Sequence, residues 1–490
     1  MPPLAPPRER RSVALPPRTA TIAGECDVLV VGGGPAGLGA ALGAAAAGAQ
    51  VILVERYGFL GGNATAALVM PLMSFHTDRG VNERSGGPGG AAALMPADHG
   101  PGEPAVSGVL ATLIRRLVAA DGAVPPSERT GYVVPFDPEI LKLVAIDLLD
   151  EAGVRFLFHA LAAGVIGGPR IEGVVFETKS GPVVIQARVT VDCTGDGDVA
   201  ALAGTGFEIG RDPDGRVQPM TLMFRMAEFQ RTAFAAYNEA HPGQWRGVHG
   251  LWDLIRQAVA AGELDLPRED ILFFGTPHER EVSVNSTRVT GALGVSVWDL
   301  TQAEWQARRQ MRQIVAFLRR YVPGFEQAYV VQSGVTIGVR ETRRILGEYQ
   351  LTADDVLQAR KWPDVIARGT YPIDIHNPMG KGTLLQRLPA GESYDIPLRC
   401  LVPRGVEQLL VAGRCISGTH EAHSSYRVMP VAMATGQAAG VCAAVAARSG
   451  RTPREVPSAE VQEELIRQGA ALGPSGREPA GRAHRPDDQR

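Results

Sequence analysis

VLVVGGGPAG, residues 28–37, is an apolar run that breaks into Gly32-x-Gly34-x-x-Gly37 and leads into an alanine-rich segment. This pattern predicts a buried strand turning into a helix whose N-terminus receives a pyrophosphate. The first glycine makes the tight turn, the second admits phosphates to the backbone, and the third lets helix pack on strand. Further along, Gly48 predicts the helix end, and VILV at 51–54 predicts the next parallel strand. Glu55 follows, about 20 residues on, where an acid binds an adenosine ribose.

Composition narrows the class of partner. A net charge of −3 argues against nucleic acid, and 45% hydrophobic with 21% charged residues fits a soluble globular chain. The cysteines, Cys26, Cys193, Cys400, Cys415 and Cys442, form no C-x-x-C pair. Common zinc and iron–sulfur spacings are excluded, no metal is expected, and the sparse odd set points to a reducing, cytoplasmic compartment. Residues 1–20 are rich in Pro and Arg and carry no apolar core of a signal peptide. Val428 to Ala447 is interrupted by Pro430, Thr435, Gly436 and Gln437, so it reads as a buried helix, not a membrane span.

The chain is expected to be α/β, a discontinuous Rossmann-like dinucleotide-binding domain with an inserted mixed α+β substrate domain. Residues 1–23 form a disordered arm and 24–205 the first part of the dinucleotide domain, with an insertion at about 70–130 that includes SGGPGG at 85–90. Helices are expected at about 105–120 and from Asp137-Pro138-Glu139, a capping acid, a first-turn proline and an acid favoured by the dipole. Strands follow at 154–158, 171–177 and 183–191. Residues 206–404 have a different texture, with strands around 281–289, 329–337, 371–375 and 396–402. A long helix is expected to start at Thr301, with Glu304 at capping-box spacing, and Thr352 to cap a short one. Leu409–Ala412 and a helix over about 430–447 return to βα texture. Residues 405–450 therefore complete the dinucleotide domain, and 451–490 form an extension, partly disordered, whose tail from about Pro474 is polar.

Several segments sharpen the cofactor to FAD. Arg56 follows Glu55, and Gly61-Gly62-Asn63-Ala64 supplies a second glycine pair. FAD needs one, because its pyrophosphate and ribityl chain run past the first turn and approach the backbone closely. Pro35 and Ala36 stand inside the first turn. Thr194-Gly195, after Asp192, lies where such a step closes over the adenosine half. Asp196 and Asp198 either serve the site or cap a helix near Val199. The helix after Val428-Met429-Pro430 would aim its positive end at the flavin pyrimidine ring and favour hydride acceptance.

VGGGPAG with Glu55, GFLGGNAT at 58–65, VDCTGDGD at 191–198, GVRETRRILGEYQLT at 338–352 and the block at 409–440 together resemble a known group. The chain resembles the FAD-dependent oxidoreductase family whose flavin domain is similar to that of heterodisulfide reductase A, among the two-dinucleotide-binding-fold flavoproteins. The resemblance implies noncovalent FAD and an oxidoreductase role. It carries Gly32, Gly34, Gly37, Glu55, Gly62, Asp192, Gly195, Gly413 and Arg414 over as FAD-site positions. It implies no substrate.

The loop expected at 418–427, GTHEAHSSYR, would lie beside the reactive ring. His420, Glu421 and His423 are candidate bases, and Arg427 and Arg340 candidate anion clamps. His76 is a further candidate, as base or as covalent attachment point, and His376 is a pocket candidate. The expected function is an FAD-dependent dehydrogenase or oxidase, with hydride passing from a small organic molecule to flavin N5. A non-redox FAD lyase or hydrolase, and an electron-transfer component of a larger complex, are the alternatives. The electron acceptor and a homo-oligomeric state stay open.

Overall fold

The apolar run at 28–31 lies at the centre of a seven-stranded sheet. A computed structural model describes residues 3–7, 12–77, 94–95, 102–127, 130–212, 214–380 and 382–473. The SGGPGG cluster and the tail from Pro474 lie outside the described residues, as does much of the insertion at 70–130.

The strands are β1 (Thr21–Val31), β2 (Val51–Val54), β3 (Arg155–Leu157), β4 (Leu161–Gly167), β5 (Ile171–Thr178) and β6 (Gly181–Asp192). Their order is β3-β2-β1-β6-β5-β4, and Leu409–Val411 pairs with β6. β3, β2, β1, β6 and Leu409–Val411 run parallel, whereas β5 and β4 form an antiparallel flap. The dinucleotide unit therefore draws strands from residues 21–192 and from 409–411. β1 begins at Thr21, inside the arm expected to be disordered. Its outer half has exposed side chains, yet β6 is long enough to pair its backbone from Thr21↔Val183 onward, so ladder bonds order it without apolar burial.

Two glycine-bearing helices cover one face. A Cβ on Gly39 of the Pro35–Ala46 helix would lie 2.2 Å from the Met433 carbonyl oxygen. One on Gly436 or Gly440 of the Met429–Ser449 helix would lie 2.0 Å from the Ala36 or Ala40 carbonyl oxygen. The two backbones touch. The Met429–Ser449 helix is long and apolar enough to cross a membrane by length and composition, but its most apolar window is 94% buried inside the protein.

A second sheet of six strands is antiparallel throughout, in the order Tyr329–Ser333, Phe224–Ala227, Glu281–Val284, Ile271–Gly275, His249–Gly250, Trp245–Arg246. It has its own aromatic core around Phe229, Phe234, Phe273 and Phe325. Ile345 to Val402, by contrast, packs into the core of the first sheet. The packing of the inserted region thus changes near residue 340, well before the expected edge at 404.

Other differences are local. The long helix starts at Val297, because Ser296 Oγ accepts the Asp299 N–H; Thr301 sits inside it, its hydroxyl donating to the Val297 carbonyl. Residues 420–426 are a helix, not a loop, with Thr419 accepting the Ala422 N–H. β4 had no sequence signal, since LAAGVIG lacks both alternation and bulk. Asp137 and Thr352 cap their helices as expected, the latter in a capping box with Asp355.

Candidate functional site

The first glycine turn folds around its neighbours in three different ways. Gly32 has φ +102°, and a Cβ there would meet the Cys193 carbonyl oxygen at 2.5 Å; on Gly37 it would meet the Gly32 oxygen at 1.8 Å. Both are required by protein packing alone. Gly34 is different: its Cβ would meet nothing nearer than Gly62 Cα at 3.6 Å. It is the N-cap of the Pro35–Ala46 helix and offers no side-chain cap, so first-turn N–H groups stay open to an anion. Gly62, at φ +51°, lies against Gly34, and the Gly61 N–H donates to the Gly33 carbonyl. The two glycine turns are therefore locked back to back.

They wall a cavity of about 210 Å³. It is lined by Gly32, Gly34, Pro35, Glu55, Arg56, Gly62, Asn63, Thr194, Gly195, Asp196, Arg414 and Met429, among others. Glu55 is buried, its two oxygens accepting the Gly33 and Tyr57 N–H groups at 2.6 and 2.9 Å. Burial raises its carboxyl above the ordinary range, against those two bonds. Ala36, Gly37, Gly61, Ala64, Asp192 and Gly413 lie behind the wall and shape it. Asp192 accepts the Thr194 N–H and hydroxyl and the Ala200 N–H, and burial lifts its carboxyl to about 6. It holds the Thr194–Gly195 turn from below. Asp196 caps no helix: it accepts from Thr342 and pairs with Arg414, whose Nε donates to the Gly195 carbonyl. Gly197 is the N-cap of the Asp198–Leu202 helix.

A cradle with one glycine needed for no internal reason, an uncapped helix start beside it and a flanking acid fit a dinucleotide pyrophosphate. Residues 27–465 match the FAD dependent oxidoreductase family. The chain belongs to that family.

FAD is its cofactor. No curated protein matches the chain. Among solved structures it is similar to a geranylgeranyl bacteriochlorophyll reductase-like protein from Thermoplasma acidophilum, at 13% identity and TM-score 0.43 over 91% of this chain and 84% of that one. It is also similar to a p-nitrophenol 4-monooxygenase from Pseudomonas putida DLL-E4, at 11% identity and TM-score 0.47 over 92% and 85% of the two chains.

One consequence of the cradle is testable. Gly34→Ala is expected to leave the apoprotein's thermal stability within about 1 kcal/mol of the parent, since its Cβ has room. Its FAD content after purification should fall sharply, because that room is where phosphate approaches. Equal FAD content in variant and parent would contradict this assignment.

A second cavity, of about 430 Å³, adjoins the first. Asn63, Val339, Arg414, Arg427 and Met429 line both. Val69, Met70, Met223 and Phe274 give it apolar walls, and Arg340, Asp374, His376 and His249 give it charge and polarity. Arg340 donates to the Pro219 carbonyl and the Thr221 hydroxyl, both at 2.7 Å, and has no ion pair among the described residues. Burial, then its neighbour Arg427, pull its guanidinium down to about 9. Arg427 contacts Asp374 at 3.4 Å, and its Nε is buried without a partner. Arg343 and Arg344, close to Arg340 in sequence, are used internally, by Asp198 and Glu341.

The four expected bases all lie elsewhere. His420 is buried with Nδ1 on Glu341, and His423 is fully buried with neither ring nitrogen partnered. Burial, reinforced by Arg344 and Arg427, keeps His423 neutral. Neither lines either cavity, and neither does Glu421. The short helix explains this for the histidines: its fixed register turns His420 and His423 into the core, whereas a loop would leave them free to face the ring. His76 bridges to Pro104 and also lies outside both cavities.

Two histidines do line the second cavity. His376 accepts from Arg288 Nη2 through Nδ1 at 3.2 Å, so its proton sits on Nε2, 3.5 Å from Asp374. Its lone pair is used. His249 Nδ1 lies 2.8 Å from Asp270. An ionised carboxylate only accepts, so Nδ1 carries the hydrogen and Nε2 keeps its lone pair, with no protein partner among the described residues. Burial alone would raise the Asp270 carboxyl; the His249 bond and Arg268 overcome it and bring it to about 2. His249 sits in VHG, a segment without a sequence signal. Its partner is 21 residues away, beyond the Trp252–Ala260 helix and beside the paired strand Ile271–Gly275, so only the second sheet reveals the pair.

Proposed function

We propose that this FAD-dependent oxidoreductase oxidises a small organic anion, as a dehydrogenase or oxidase. The carrying observation is the second cavity, which opens onto the FAD cavity and combines apolar walls, two arginines and a histidine with a free lone pair. Gly32, Gly34, Pro35, Glu55, Arg56, Gly62, Asn63, Thr194, Gly195 and Arg414 would hold FAD noncovalently. Bound there, FAD would supply a two-electron acceptor for the substrate's hydride. Met429 opens a helix whose uncapped N-terminus adds positive potential at the junction of the cavities, which favours negative charge there.

Arg340 and Arg427 orient the anionic substrate, since guanidinium forks hold carboxylates in a fixed plane. His249 Nε2 takes the proton that leaves as the hydride departs, and Asp270 stabilises the resulting imidazolium. Val69, Met70 and Phe274 keep water from the reacting carbon. In this reading residues 24–205 and 405–450 carry the cofactor, and the second sheet within 206–404 carries the substrate. A likeness to the flavin domain of heterodisulfide reductase A is part of this reading, supported by the sequence blocks at 31–37 with Glu55, 58–65, 191–198, 338–352 and 409–440.

Anaerobic rapid mixing tests the reading. A true substrate is expected to bleach the oxidised flavin band in a single turnover. If every compound that the enzyme turns over leaves that band intact, the redox mechanism is wrong.

A further inference from the structure

The charges around the second cavity do not balance, and the imbalance has a chemical meaning. Arg268, Arg288, Arg340 and Arg427 surround His376, whose ring is driven neutral by burial and then by these four cations. Among the described residues, two carboxylates pair with this group, Asp270 with Arg268 and Asp374 with Arg427. Arg288 is held by the Gly380 carbonyl and His376, and Arg340 by neutral oxygens; neither has an ion pair among the described residues.

Arg340 is only partly exposed, sits deep in the protein, and lines the cavity, so its open side faces that space. Arg427 also faces it, with Nε unpartnered. Uncompensated buried charge is costly. The four cations exceed the two carboxylates paired with them by two, and Arg340 and Arg427 are the members of the group that line the cavity, so this space is complementary to two negative charges. The uncapped start of the Met429–Ser449 helix at the same cavity adds to the field.

We propose that the second cavity binds a small organic dianion, with one anionic group on Arg340 and the other on Arg427. This deepens the redox reading by naming the substrate class, and it rests on that reading only for the claim that the bound dianion is oxidised. The apolar walls would cover the carbon chain between the two groups.

Holoenzyme titrated anaerobically with inert probes separates the two claims, because binding beside the flavin perturbs its absorbance without turnover. Succinate serves as the dicarboxylate, ethyl phosphate as the phosphoryl dianion, and butyrate and butyramide as the singly charged and neutral controls. At least one dianion is expected to bind on the order of thirtyfold more tightly than butyrate, with butyramide weaker still. Which dianion binds more tightly identifies the source of the charge. Arg340→Gln should erase the preference for two charges, and Arg340→Lys should restore part of it. Retained FAD and an unchanged melting temperature verify that both variants are folded. Equal binding of dianions and butyrate, or a preference that survives Arg340→Gln in folded protein, overturns the proposal. Tight dianion binding together with the absence of any reducing substrate would overturn the redox reading and leave this one standing.

Discussion

Gly436→Ala is expected to destabilise the protein by about 3 kcal/mol and to strip it of FAD. The reason is purely geometric. The added methyl would sit 2.0 Å from the Ala36 carbonyl oxygen and 2.7 Å from the Ala36 carbon, and both belong to backbone. No rotamer relieves such a contact, so the two helices must separate. The Pro35–Ala46 helix starts at the cavity wall, with Pro35 itself in the lining. Its displacement would open the phosphate cradle. Thermal unfolding of the apoprotein and flavin content of the purified holoprotein measure the two effects. Gly168→Ala is the control, since a Cβ there meets nothing within 4 Å, and it should shift stability by no more than about 0.5 kcal/mol. A Gly436→Ala protein that melts with the parent and keeps its FAD would show that the helix contact does not govern the site.

His249→Asn is expected to slow single-turnover flavin reduction by roughly 10²–10⁴-fold while leaving substrate binding nearly unchanged. The anion is held by arginines, so the loss should fall on the rate of reduction. Asp270→Asn should reproduce much of the loss. An amide donating to Nδ1 would move the ring proton to Nε2 and remove the lone pair that accepts the substrate proton. Anaerobic stopped-flow at saturating substrate separates rate from affinity, and added imidazole should recover part of the His249→Asn rate. Reduction within about twofold of the parent in both variants would exclude His249 as the proton acceptor.

The cofactor half of the molecule was readable from local pattern. Gly32, Gly34, Gly37, Glu55 and Gly61-Gly62 carry their signal in types and spacing, because a turn and a phosphate approach depend on a few neighbouring residues. The catalytic half was not. His420, Glu421 and His423 would be accessible only in a loop at 418–427. Thr419 and Ala422 instead start a helix, and its period buries His420 and His423. Arg340 and Arg344 are four residues apart in one polar run, yet one faces a cavity and the other is spent on Glu341. No local rule separates them, since the difference is set by which distant element each meets.

Residue types and spacing alone point to a strand–glycine turn–helix of dinucleotide-binding type, to a second glycine pair after it, and to a βα return beyond residue 405. These are short-range consequences of backbone freedom, helix polarity and apolar pattern. It took the folded chain to bring Gly34 against Gly62, to press together the helices starting at Pro35 and Met429 through their glycines, and to set His249 beside Asp270. Folding also left Arg340 without a counter-charge among the described residues beside a cavity. Charge balance and lone-pair availability depend on partners brought together from 21 to several hundred residues apart, so they exist only once the chain has folded.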